Sequence, residues 1–146
     1  MSAVSQKKIL VVDDEQDMQI FLANVLRSEG FYPIVAEDRT SGFRKARQEQ
    51  PAVIILNMMM PGEAGIQMYR SLKRDQDLRD IPVIMLATLD KHTFLKCHNL
   101  YGHSHCEIYE HVDRFMQKPI EAAELLNHVS RFWDHGQARG DRAYPK

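Results

Sequence analysis

Cysteine is nearly missing from this chain: only Cys97 and Cys106 occur in 146 residues. Two thiols are too few for a disulfide scaffold, so the expected compartment is the reducing cytoplasm. An excess of one charge is missing too. The 19 Lys and Arg nearly balance the 20 Asp and Glu, for a formal net charge of −1. A nucleic-acid-binding surface and a polybasic membrane patch are therefore not expected. No apolar run approaches the roughly 20 residues that cross a bilayer. The opening MSAVSQKK is polar and continues into only a short apolar run, which excludes a signal-peptide pattern. Repeats and low-complexity blocks are also missing. What is present, 44% hydrophobic residues in a chain of this length, suits one globular domain with a proper core.

Short apolar runs alternate with helical periods. KILVV, Lys8 to Val12, reads as a strand buried on both faces. Met18, Phe21, Leu22, Val25 and Leu26 follow at helical spacing, with a stop at Gly30. FYPIVA is a second strand, weakened by Pro33. Thr40 and Ser41 are the expected caps of a short helix that ends before Pro51. AVIIL is the third strand, Gly62 to Gly65 a loop, and Ile66, Tyr69 and Leu72 mark the next helix. IPVIMLA and DRFMQ supply strands four and five. Pro119 then opens a final helix with Leu125, Leu126, Val129, Phe132 and Trp133 inward. The alternation predicts an α/β fold, a doubly wound five-stranded parallel sheet with helices on both faces.

In such sheets a site lies beyond the carboxyl ends of the strands, where strand order reverses. Asp13, Asp14 and Glu15 follow strand one, and Asn57, Met58 and Met59 follow strand three. Ala87 and Thr88 follow strand four, and Lys118 with Pro119 follows strand five. Two carboxylates at one strand end and a lysine at another suit Mg2+ with a phosphoryl group. The metal takes hard oxygen ligands and the ammonium neutralises a phosphoryl oxygen. The plainer alternative is that Asp13 and Asp14 cap the first helix while Lys118 pairs with one of them.

Taken together, ILVVDDE, PAVIILNMMMPGEAG, IPVIML and FMQKP resemble the receiver domain of two-component response regulators. The likeness covers nearly the whole chain, with the domain expected over residues 7–134. It implies a flavodoxin-like fold and a signalling module rather than an enzyme. Such a module takes a phosphoryl group, with Mg2+, from a histidine kinase or phosphotransfer protein and signals to an output protein. A homodimer is compatible with it. Position by position, the resemblance makes Asp13 and Asp14 the metal pair and gives Met59 a backbone carbonyl ligand. Lys118 becomes the phosphate-contacting lysine and Phe115 the switching aromatic. It also implies a cis Lys118–Pro119 peptide.

Two central positions depart from the family pattern. Asn57 stands where the phosphoacceptor aspartate belongs, and a neutral amide is a poor nucleophile. It also removes one charge from the metal cluster, so weaker Mg2+ binding is expected. After strand four the family places a hydroxyl residue and then a small one, but here the order is Ala87 then Thr88. Neighbours in extended chain point to opposite sides, so Thr88 does not replace the missing hydroxyl without a bulge. Two losses in one site predict a degenerate receiver acting as a protein-interaction module. The alternative is a Mg2+-dependent phosphoacceptor receiver in an inactive asparagine form.

A third departure is the long connection between Ala87 and Lys118. It holds both cysteines and five of the seven histidines. A short helix is expected from Thr93 to Leu100. Cys97, His98, His103, His105 and Cys106 offer soft and borderline ligands for Zn2+ or another transition metal, although their spacing matches no standard zinc motif. A metal-sensing receiver is thus the third reading, and a reshaped interaction surface the plainer one. Residues 135–146 are polar and unpatterned, as expected of a disordered tail or linker. The chain reads equally as a stand-alone receiver or as a fragment of a larger regulator.

Overall fold

The structure is a computed structural model that describes residues 7–88 and 113–140, with side chains described as far as Asp134. Five strands form one parallel sheet: β1 (Lys8–Val12), β2 (Tyr32–Ala36), β3 (Val53–Asn57), β4 (Val83–Ala87) and β5 (Arg114–Gln117). Their spatial order is β2-β1-β3-β4-β5, so the order reverses at β1. Four helices are described: α1 (Gln16–Ser28), α2 (Arg39–Glu49), α3 (Ala64–Arg74) and α4 (Ala122–Gly140). A single turn of 3-10 helix, Pro61–Glu63, leads into α3. The predicted doubly wound fold is present.

Strand alternation divides the core. Leu10, Val12, Ile54 and Leu56 face Ala46 of α2 and Met68 and Leu72 of α3. Ile9, Val11, Val53 and Ile55 face Leu22 and Leu26 of α1 and Leu125 and Val129 of α4. Each such buried branched side chain contributes roughly 1.5–3 kcal/mol relative to exposure. That two-sided burial is why the central strands read as unbroken apolar runs.

Pro33 is tolerated because β2 is an edge strand. Tyr32 donates its backbone N–H inward to the Lys7 carbonyl at 2.7 Å. Successive residues of a parallel strand direct their backbone groups to alternate sides, so Pro33 and Val35 face outward. The outward carbonyl of Val35 accepts a hydrogen bond from Lys45 Nζ at 2.6 Å.

Four local expectations change. The cap of α2 is Asp38, whose carboxylate accepts the Ser41 N–H at 2.8 Å, so Thr40 and Ser41 lie inside the helix. Phe21 is 38% exposed rather than inward, and Ala23 is buried in α1 instead. Pro119 does not open the last helix: it follows a cis peptide bond, and α4 begins at Ala122. That helix continues to Gly140, past the boundary expected after residue 134. The helix expected from Thr93 to Leu100 lies outside the described residues.

Candidate functional site

The reversal of strand order leaves a crevice between the carboxyl ends of β1 and β3, and the polar residues gather there. Asp13 continues β1 by one rung, donating its N–H to the Ala36 carbonyl at 3.1 Å. Gln19, one turn into α1, holds the Asp13 carbonyl through Nε2 at 2.6 Å. The Asp13 side chain is fully buried, and its Oδ1 accepts the Glu15 N–H at 2.9 Å. Its Oδ2 has no hydrogen-bond partner but lies 3.6 Å from Lys118 Nζ, which is also 4.0 Å from Glu15 Oε1. Burial pushes the Asp13 carboxyl above the usual aspartate range, against the Glu15 hydrogen bond and the Lys118 ammonium; the charges of Asp14 and Glu15 add to the rise.

Asn57 ends β3 and is nearly fully buried. Its Nδ2 donates to Asp14 Oδ1 at 3.2 Å and, at the longer distance of 3.4 Å, to Asp13 Oδ1. Its Oδ1 accepts the Met59 N–H at 3.1 Å. These three contacts fix which end of the amide faces the acids. A flipped amide would set two donors against each other at Met59 and two acceptors against the carboxylates.

Lys118 arrives from the far side of the sheet. Its backbone N–H binds the Ala87 carbonyl at 2.7 Å, and the Lys118–Pro119 peptide is cis, as the family resemblance implied. Ala87 itself is fully buried in the apolar cluster, while Thr88 is exposed. The β4–β5 register runs evenly to Ala87 opposite Gln117, with no bulge to turn Thr88 inward. Phe115 is half-buried against the core on the side of α2 and α3. Met59 is 47% exposed beside the pocket.

The crevice therefore brings together Asp13, Asp14, Asn57 and Lys118, with the Met59 backbone adjoining. Cys97, His98, His103, His105 and Cys106 lie outside the described residues. Sequence reasoning missed two supporting residues. Gln19 gave no signal beyond helical spacing. Gly65 did: it stands second in α3, where glycine is a poor helix former. A Cβ there would lie 2.2 Å from the Asn57 carbonyl and 2.8 Å from Met58 Cα. Only glycine lets α3 start this close to the end of β3.

An acidic pair and a lysine at the reversal point of a doubly wound parallel sheet define a flavodoxin-like protein with a signalling-type pocket. The family model described as the response regulator receiver domain matches residues 9–130, and the chain belongs to that family. It is similar to the phosphate regulon transcriptional regulatory protein PhoB of Escherichia coli, 42% identical over 81 residues. That match covers 56% of this chain and 35% of PhoB, so the likeness spans about a third of the relative's length. Protein PilH of Pseudomonas aeruginosa is 37% identical over 86 residues, covering 59% of this chain and 71% of PilH. In structure the chain resembles the signal receiver domain of a LuxO repressor protein from Vibrio parahaemolyticus. The TM-score is 0.77 at 16% identity, over 97% of this chain and 100% of that one, a likeness of fold alone.

Receiver domains of two-component systems are generally signalling modules that work with histidine kinases and output domains, and they typically bind Mg2+ at the phosphorylation site. The donor set here does not fit such an ion as it stands. A hard cation needs converging oxygen acceptors. The Asn57 amide instead presents a donor nitrogen to both carboxylates, while its oxygen is taken by Met59. Among the described residues no three His, Cys, Asp or Glu side chains converge as a metal-binding group, and no helix is long and apolar enough to cross a membrane.

Proposed function

We propose that this receiver acts as a protein-interaction module of two-component signalling whose pocket carries no aspartyl phosphate. The observation behind this reading is Asn57. An amide nitrogen engaged by Asp14 at 3.2 Å, in place of a free carboxylate oxygen, cannot attack phosphorus to give an acyl phosphate. Ala87 supports it, since no hydroxyl at the end of β4 is available to a phosphoryl oxygen. The partners are a histidine kinase, a phosphotransfer protein or an output protein of the cytoplasm, meeting the receiver in one phosphorylation-independent state; a second copy of the chain is a further candidate. The Asp13 and Asp14 carboxylates, which with the Met59 carbonyl would hold Mg2+ in a phosphoaccepting receiver, are engaged by the Asn57 amide instead. Lys118 pairs with Asp13 rather than with a phosphoryl group. The test is incubation with acetyl phosphate and MgCl2 followed by intact mass measurement. An unchanged mass is expected. A gain of one phosphoryl group mapped to a pocket residue would sink the proposal.

One observation favours a second reading. Lys118 Nζ still lies 3.6 Å from Asp13 Oδ2, the arrangement that a phosphoaccepting pocket uses. In that reading the asparagine is an inactive form of a phosphoacceptor receiver, and Asn57→Asp alone restores full phosphorylation.

A further inference from the structure

The acids at the end of β1 already have cationic and donor partners from within the chain. Asp14 Oδ1 receives the Asn57 amide at 3.2 Å, and Asp13 Oδ1 receives the Glu15 N–H at 2.9 Å with the same amide at 3.4 Å. Asp13 Oδ2, the one carboxylate oxygen here that is buried without a hydrogen bond, faces the Lys118 ammonium at 3.6 Å. The amide is anchored from behind by the Met59 N–H at 3.1 Å. To offer an oxygen to a cation it must turn over, which breaks the contacts to both acids and leaves the Met59 N–H facing another donor. A buried donor without an acceptor is costly.

From this we infer that Asn57 serves as a built-in substitute for the metal ion: its amide bridges Asp13 and Asp14 and keeps Mg2+ out of the pocket. The pocket is thereby held in one metal-independent arrangement. The inference deepens the reading of a receiver without phosphate, yet the two stand or fall separately. Mg2+ binding is measured without any phosphodonor, and phosphorylation is read by mass.

The test exploits a sign that differs between two roles for the same side chain. If Asn57 is a weak ligand, removing it weakens Mg2+ binding. If Asn57 is a substitute that blocks the ion, removing it strengthens binding. The full chain, Asn57→Ala and Asn57→Asp are each titrated with MgCl2 by calorimetry and followed by amide shifts at Asp13, Asp14, Glu15 and Met59. Those shifts separate the pocket from any binding elsewhere. Expected are no saturable pocket shifts in the natural chain, binding at least about tenfold tighter in Asn57→Ala, a factor worth roughly one hydrogen bond, and tighter binding still in Asn57→Asp. Melting temperature should follow the same order: insensitive to MgCl2 against EDTA in the natural chain, raised by MgCl2 in both variants. Saturable Mg2+ shifts in the natural chain that are lost in Asn57→Ala would overturn the inference. Should Asn57→Ala not fold, pocket shifts in the natural chain as strong as those in Asn57→Asp would overturn it equally.

Discussion

Replacing Gly65 by alanine should unsettle the pocket without touching any of its polar groups. The added methyl would sit 2.2 Å from the Asn57 carbonyl and 2.9 Å from the Met58 carbonyl, both backbone atoms that have no rotamer to yield with. Overpacking of this kind costs about 1–3 kcal/mol, and the backbone target places it at the upper end. Alanine returns up to about 1 kcal/mol of helix propensity. The net loss is therefore roughly 2 kcal/mol, or on the order of 6–10 °C in melting temperature for a domain of this size. Gly42→Ala is the internal comparison. Its methyl would meet Met68 Cε and Sδ at 3.0 Å and Val12 Cγ2 at 3.1 Å. An unbranched methionine tip moves easily, so crowding and helix gain should cancel to within about 1 kcal/mol. Urea midpoints at constant m-value give the stabilities. The Met59 amide signal reports whether its hydrogen bond to Asn57 has moved. If Gly65→Ala unfolds at the natural midpoint with an unmoved Met59 signal, or Gly42→Ala proves costlier, the close approach of α3 to β3 does not constrain the pocket.

Two further outcomes are expected. His128 on α4 is largely buried with Nδ1 unpartnered, and burial, then the Arg114 charge, hold its pKa below the ordinary 6.5. The unfolded chain then binds the proton more tightly, so this contribution to stability is complete above pH 6.5 and is lost as pH falls through the lower folded value. His128→Leu should flatten the slope of urea midpoints against pH just below 6.5, and equal slopes in both proteins would contradict the assignment. Asn57→Asp, given acetyl phosphate and MgCl2, should phosphorylate slowly or partially with small amide shifts at Phe115, whereas the double variant with Ala87→Thr should show large ones. Full phosphorylation and large shifts in Asn57→Asp alone would show that the hydroxyl at the end of β4 is dispensable.

The strands were legible because burial on both faces writes itself as an unbroken apolar run; β1 and β3 match their sequence readings to within a residue. The crevice followed from strand order, since chain topology decides which strand ends adjoin. What resisted was local competition. Asp38, Thr40 and Ser41 are all capable caps, and only the bond from the Ser41 N–H to the Asp38 carboxylate singles one out. Phe21 and Ile20 both border the apolar face of α1, which is too narrow for either, leaving them 38% and 52% exposed. The extent of α4 was hidden because residues 135–140 carry no apolar period, whereas a helix already nucleated around Leu125 and Val129 lengthens by one hydrogen bond per residue. The orientation of the Asn57 amide was beyond reach for a different reason. It depends on three partners that meet only after folding.

The outer margin of β2 bears on how copies of this protein can meet. Each of its two outward positions withholds one group from another strand: Pro33 has no N–H to give, and the Val35 carbonyl is occupied by Lys45 at 2.6 Å. A neighbouring chain that tried to zip onto this margin would find one donor missing and one acceptor taken, which blunts the route by which exposed strands seed aggregates. Recognition by strand addition is disfavoured at this margin for the same reason. At high concentration the sheet of this module is therefore poorly suited to growing from molecule to molecule through β2.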